Sequence, residues 1–215
     1  MNGARTFCAV AGNIGSGKST LTGLLAERLA WRPYYEHVEG NPYLADFYAD
    51  MRRWAFHLQV YFLSKRFQHH QEILASPVSV IQDRTIYEDA EIFARNLHEN
   101  DFLDGRDHDN YRELFDTMTQ FLAPPDLLIY LRTSVPVLVE RIRARGRDYE
   151  RAIPVEYLEQ LNRHYEDWIA RWDRSPVLIV ETDACNLAVE EAELEVVADR
   201  VQRLLEATRG YILPL

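Results

Sequence analysis

The chain has 215 residues, 47% of them hydrophobic and 27% charged, with a formal net charge of −10. That composition suits one globular domain of residues 1–215, with room for a small lid. The acidity argues against a polynucleotide or anionic-membrane partner, so any phosphate site must be a local island of positive charge.

Residues 5–11 read as a first strand, apolar from Phe7 to Ala11. Gly12, Asn13, Ile14, Gly15, Ser16, Gly17, Lys18 and Ser19 follow, with Thr20 behind them. They match the P-loop pattern G-x-x-x-x-G-K-[ST], and an amphipathic helix over 18–30 leads out. Residues 32–38 form a short second strand ending in charges. Gly40-Asn41-Pro42 breaks it and opens a helical stretch through Phe47 and Tyr48. Residues 51–75 carry a helical pattern, with Met51, Trp54, Ala55, Leu58 and Phe62 at three- and four-residue spacings. A third strand over 78–84 again ends in charges. Residues 86–99 read as helix, 100–110 as a polar loop, and 111–122 as helix stopped by Pro124-Pro125. The run 126–132 is almost wholly apolar, as a buried parallel strand requires. A helix over 136–145, a charged loop to Pro154, a helix over 155–173, a strand over 177–182 and a helix over 188–206 complete the chain.

Alternating strands and helices imply an α/β fold: a five-stranded parallel sheet between helical layers, of the P-loop NTPase type, with an arginine-rich lid at about 141–153. Ligands of such sheets sit off the carboxyl ends of the strands. Those ends carry the P-loop, Glu36 and Asp83-Arg84. Cys8 and Cys185 form neither a disulfide framework nor a zinc spacing, so a cytoplasmic location is expected. No secretory leader pattern opens the chain, and no long apolar run suggests a membrane span.

The P-loop implies a nucleoside triphosphate. Its backbone N–H groups form an anion nest at a helix N-terminus, Lys18 reaches the β- and γ-phosphates, and the Ser19 hydroxyl suits Mg²⁺. Glu36 is the candidate base for an acceptor hydroxyl, with Glu39 a local competitor. Asp83 suits the magnesium environment, and Arg84 suits holding Glu36 and the acceptor oxygen together. Arg141, Arg143, Arg145, Arg147 and Arg151 crowd eleven residues. They read as a basic lid that excludes water, or as a self-paired solvated helix with Glu140, Asp148 and Glu150. Helical spacing puts Arg141 with Arg145, and Arg143 with Arg147. Gln59, Phe62, Leu63 and Arg66 share one face of the long helix. That face suits a flat heterocycle packed by Phe62 and read on its edge by polar groups.

Taken together, Gly12 to Thr20, Tyr35-Glu36-His37-Val38, Trp54 to Gln59, Asp83-Arg84-Thr85 and Arg141 to Glu150 resemble the deoxyribonucleoside kinases, in their order and spacing. Asn41-Pro42-Tyr43-Leu44 and Asp46-Phe47-Tyr48 look most like the bacterial deoxyadenosine/deoxyguanosine kinase branch. The resemblance implies ATP as donor and transfer to the 5′-hydroxyl of a deoxyribonucleoside. It implies Glu36 as base, Arg84 as its companion, and Tyr48 with Glu150 on the sugar 3′-hydroxyl. It implies Gln59 on the base edge, Arg141, Arg145 and Arg147 around the phosphates, Ser19 and Asp83 near magnesium, and Thr182 to Asn186 near the donor adenine. Arg66 and Asp89 match a polar pair beside the base, which argues against thymidine. Deoxyadenosine is favoured over deoxyguanosine, with deoxycytidine or a broad range as the alternative. A homodimer is implied, through apolar faces of the 51–75 helix and the 111–122 region. The chain departs from the family in having His37 where a proline is common, and Tyr149 beside Glu150. A nucleoside-monophosphate kinase is the competing enzyme. A non-catalytic relative, like the respiratory-complex subunit that resembles this family, would be expected to have lost the P-loop or the base.

Overall fold

The computed structural model describes residues 5–36, 40–147, 150, 153–183 and 191–210. Five strands form one sheet in the order β2-β3-β1-β4-β5, every neighbouring pair parallel. They are β1 (Phe7–Gly12), β2 (Arg32–Tyr34), β3 (Val80–Asp83), β4 (Leu127–Arg132) and β5 (Val177–Glu181).

The strands read as apolar runs because both sheet faces are covered. Phe7, Ala9 and Ala11 of β1 face one core, with Leu128 and Tyr130 of β4; Cys8 and Val10 face the other, with Leu127, Ile129 and Leu131. The second core is closed by α1 (Lys18–Leu29) and α9 (Glu191–Gly210). The first is closed by α2 (Leu44–Ala49), α3 (Met51–Ala75), the helical segment after β3, α6 (Gly105–Thr119) and α8 (Val155–Arg171). The result is the expected three-layer α/β architecture. No described helix is long and apolar enough to cross a membrane.

Helix ends follow local chemistry. The Asp50 side chain caps α3 by accepting from Arg53 N, 3.1 Å away. The helix after β3 opens with a capping box between Thr85 and Glu88. It runs as α4 (Ile86–Glu88), a π-helical stretch Asp89–Ala94, and α5 (Arg95–Glu99). The π stretch could not be read from apolar spacing, because it adds one residue to a turn. α7 (Val135–Arg145) starts with proline in its first turn and ends at Gly146, φ 71°.

Two expected boundaries move furthest. The second strand spans only residues 32–34, an edge strand opened by a proline-containing run, so Glu36 lies past its end. The loop expected over 100–110 gives way at Gly105, because the Asp104 side chain accepts from Asp107 N at 2.8 Å and starts α6 there. The part of the final helix expected at 188–190 lies outside the described residues.

Candidate active site

The P-loop curls off the carboxyl end of β1, the central strand. Gly17 takes φ 98° as the cap of α1, and Gly15 takes φ 84°. A Cβ on Gly15 would stand 2.8 Å from Ile142 Cγ1, so α7 packs against this loop at glycine distance. Lys18 is buried, and its Nζ donates to the Gly12 and Asn13 carbonyls at 2.8 and 2.9 Å. Burial, aided by Arg84, lowers its pKa to about 8, although Asp83, Glu88 and Glu36 oppose the fall. Asn13 is a tether. Its amide nitrogen donates to Leu158 O at 3.0 Å and Asn162 Oδ1 at 2.6 Å, both on α8. Asn162 in turn donates to Thr133 O at the end of β4.

The end of β3 delivers Asp83 and Arg84. Ser19 Oγ donates to Asp83 Oδ2 at 2.5 Å, while Asp83 Oδ1 is buried without a hydrogen-bond partner. A hydroxyl beside a carboxylate with an orphaned oxygen suits a hard divalent cation with oxygen ligands. Arg84 sits at φ 65°, a left-handed conformation costly for a side chain of this size. That turn lays its guanidinium over Phe93, 4.3 Å from the ring centre, with Nε 3.4 Å from Glu36 Oε2.

Glu36 meets a second arginine. Arg66 Nη2 stands 2.5 Å from Glu36 Oε1, and Arg66 Nε stands 2.6 Å from Asp89 Oδ2. The arginines and Asp89 are almost wholly buried, while a fifth of the Glu36 side chain is exposed. Burial alone would raise the Glu36 carboxyl. Arg84, then Arg66 and Lys18, outweigh it and hold the group at about 2. Asp89 goes the other way: burial dominates and pushes it up to about 6, with Arg66 offsetting only part.

These groups line one cleft of about 800 Å³. It holds every P-loop residue from Ile14 to Thr20, together with Glu36, Tyr48, Gln59, Phe62, Arg66, Asp83, Arg84, Asp89, Arg141, Arg145, Arg147 and Glu150. Among those linings six side chains are basic and four acidic, so the cleft is the positive island that an acidic chain needs. Gly12 and Asn13 lie behind the loop and do not line the cleft, Asn13 serving as its tether. Leu63, on the same face as Gln59, is fully buried in the sheet-facing core instead.

On the lid side, Arg141 donates to Thr182 O at 2.6 Å and to Ser16 O at 3.3 Å, bridging β5 and the P-loop. Glu150 is buried and accepts from Arg145 at 2.6 Å, with Arg147 at 3.5 Å. Arg147 does not share a helix face with Arg143, because α7 stops at Arg145. His37, Glu39, Asp148, Tyr149, Arg151 and the segment 184–186 lie outside the described residues.

Sequence reasoning missed four contributors. Glu88 is fully buried, and its Oε1 accepts from Tyr165 OH at 2.8 Å and Gly12 N at 3.4 Å, its Oε2 from Thr85 N at 2.7 Å. It joins the P-loop, the turn bearing Arg84, and α8. Its signal was the Thr85-to-Glu88 capping-box spacing. Phe93 and Tyr157 line the cleft but look like ordinary core aromatics in sequence. Asn162 carries no motif at all.

Residues 8–206 match the deoxynucleoside kinase family. The chain belongs to the deoxynucleoside kinase family. It is therefore an enzyme, and its reaction class is phosphoryl transfer to a deoxynucleoside. The kinase is 38% identical over 202 residues to the deoxyadenosine/deoxycytidine kinase of Bacillus subtilis, covering 93% of each chain. It is 37% identical over 205 residues to the deoxyguanosine kinase of Lactobacillus acidophilus, covering 91% of this chain and 89% of that one. Its fold is similar to a solved deoxyadenosine kinase from M. mycoides with bound dATP, at TM-score 0.80 and 28% identity, over 92% of this chain and all of the other.

The Glu88 contacts make a prediction. Glu88→Ala strands buried donors from three segments and is expected to lower stability by about 1–3 kcal/mol, whereas Glu88→Gln keeps an acceptor and loses less. Urea unfolding of both variants measures this; equal stability of Glu88→Ala and the parent would remove Glu88 as a tether.

Proposed function

We propose that the kinase transfers the γ-phosphate of ATP to the 5′-hydroxyl of a deoxyribonucleoside and prefers a deoxypurine, deoxyadenosine ahead of deoxyguanosine. The observation that carries this is the placing of Glu36, Arg84, Arg66 and Asp89 in the same cleft as the P-loop. Phosphoryl transfer needs mainly positioning and charge neutralisation, and this cleft supplies both.

The donor phosphates would take the P-loop amides and draw Lys18 from the Gly12 and Asn13 carbonyls. Arg141, Arg145 and Arg147 close over them. Magnesium, held from Ser19 and Asp83, would neutralise charge on the transferring group. Glu36 takes the proton of the 5′-hydroxyl, and Arg84 holds that oxygen and the carboxylate in register. Tyr48 and Glu150 would hold the 3′-hydroxyl. The base would lie between Phe62 and Phe93, with Gln59 on its edge. The Gln59 side-chain oxygen is buried without a hydrogen-bond partner, which supports an edge-reading role.

Beside that edge, Asp89 can accept from an exocyclic amino group and Arg66 can donate to a ring nitrogen or carbonyl. Thymine has no exocyclic amino group to offer. The relatives named for deoxyadenosine, deoxycytidine and deoxyguanosine support the same leaning, and deoxycytidine stays the alternative. A monophosphate acceptor fits less well, since Arg66 and Arg84 already answer Glu36 and Asp89. Retention of Lys18, Ser19, Glu36, Asp83 and Arg84 in one cleft supports catalysis over a structural role. A cytoplasmic location fits the buried, free thiol of Cys8.

Glu36→Gln is expected to cut kcat by about 10²–10⁴-fold while nucleoside binding persists. Steady-state rates with ATP and deoxyadenosine, beside calorimetric binding, test this; an unchanged kcat excludes Glu36 as base. Arg66→Met combined with Asp89→Ala is expected to shift preference toward thymidine. Initial rates with the four deoxyribonucleosides decide it, and an unaltered ranking would refute the polar-pair argument. Finally, Phe121 is 74% and Leu114 40% exposed on and just after α6, which packs on α3. These side chains support a homodimer through that face; light scattering should report two chains, and a monomer would contradict it.

A further inference from the structure

Arg66, which stands where it would read the base, also grips the carboxylate that would take the proton. Its Nη2 and Nε engage Glu36 and Asp89 at once, at 2.5 and 2.6 Å. Arg84 holds the other Glu36 oxygen more loosely, at 3.4 Å. A carboxylate oxygen in so close a charge-assisted contact is a poor proton acceptor. In this arrangement Arg66 occupies Glu36 Oε1 and leaves only Oε2 open to a proton.

We infer that Arg66 is a positioning residue that couples base recognition to the freeing of Glu36: a nucleobase edge that engages the guanidinium draws it off the carboxylate. The inference rests on the kinase reading above and deepens it. Asp89 is the pivot. Its carboxylate anchors Arg66 Nε, so the guanidinium can turn without leaving the cleft floor. Phe62, with its ring centre 5.6 Å from the guanidinium carbon, bounds the turn on one side. After the turn Glu36 keeps Arg84, the partner that also holds the acceptor oxygen. No atom is exchanged in this step; one ion pair is traded for a hydrogen bond to the base.

The charged groups facing Glu36 are Arg66 from α3, Arg84 from the end of β3, Lys18 from α1 and, less strongly, Asp89 from the π stretch. Its chain neighbours His37 and Glu39 lie outside the described residues. Losing the Arg66 contact removes one of the charges that hold Glu36 at about 2, so its pKa rises when a matching nucleoside binds. A base that leaves Arg66 in place leaves Glu36 paired. Discrimination then falls on kcat and not on KM alone.

The test is the pH dependence of deoxyadenosine phosphorylation at saturating ATP. The profile of kcat/KM reports the nucleoside-free enzyme together with the free nucleoside, whose own acid limb is fixed by direct titration of deoxyadenosine, and that of kcat reports the nucleoside complex. In the parent enzyme the acid limb of kcat is expected to lie at least about one pH unit above that of kcat/KM. In Arg66→Met the two limbs are expected to coincide, because nothing remains to be handed over. Arg66→Met with Asp89→Asn gives the same comparison without a lone buried carboxylate, should the single variant fold poorly. Coincident limbs in the parent, or a split that survives in the variants, overturns the coupling and leaves the kinase reading standing. Absence of phosphorylation with every deoxyribonucleoside overturns both.

Discussion

Two arginines and two carboxylates share one largely buried volume in the cleft, and Arg66 and Glu36 each answer two of the others. Arg66 stands between Glu36 and Asp89, and Arg84 leans on Glu36 from the other side. Removing one member would leave a buried charge without its counterpart, a loss of about 3–5 kcal/mol in comparable networks. The elements that bear these groups, α3, the end of β3 and the π stretch, therefore meet through matched charges as well as through their apolar faces. The same matching keeps this glutamate ionised although burial by itself would raise its pKa.

The two acids of this network respond to pH in opposite senses. Glu36, depressed from 4.5 to about 2, contributes stability that is full above its ordinary value and lost as the pH falls toward 2. Asp89, raised from 3.8 to about 6, contributes through the proton it retains; that contribution is full below its ordinary value and lost as the pH rises through about 6. At neutral pH the enzyme thus carries a carboxylate whose ionisation is strained, beside one whose ionisation is secured. Arg66, in ion-pair contact with both, lies between the two states of charge.

The surrounding fold serves the same end. Parallel strands bring the P-loop, Asp83-Arg84 and the approach to Glu36 to one edge of the sheet. Glu88 and Asn13 then lock the P-loop to the β3 turn and to α8. The positive-φ backbone at Arg84 is tolerated because its guanidinium finds Phe93 on one side and Glu36 on the other. In a chain that is acidic as a whole, basic side chains outnumber acidic ones along this cleft.

The sequence by itself determined the P-loop and the five parallel strands, though not their order in the sheet. A P-loop is a local backbone motif, and buried parallel strands are continuous apolar runs, so both are written in contiguous residues. Helical spacing likewise put Gln59, Phe62 and Arg66 on one face. Contacts between distant residues carry no such periodic mark. The extra turn residue at Asp89–Ala94, the tethers from Glu88 and Asn162, and the seating of Glu150 among lid arginines came only with tertiary structure. So did the double engagement of Arg66, because residues 36, 66 and 89 meet only once α3 and the π stretch are packed beside the sheet edge.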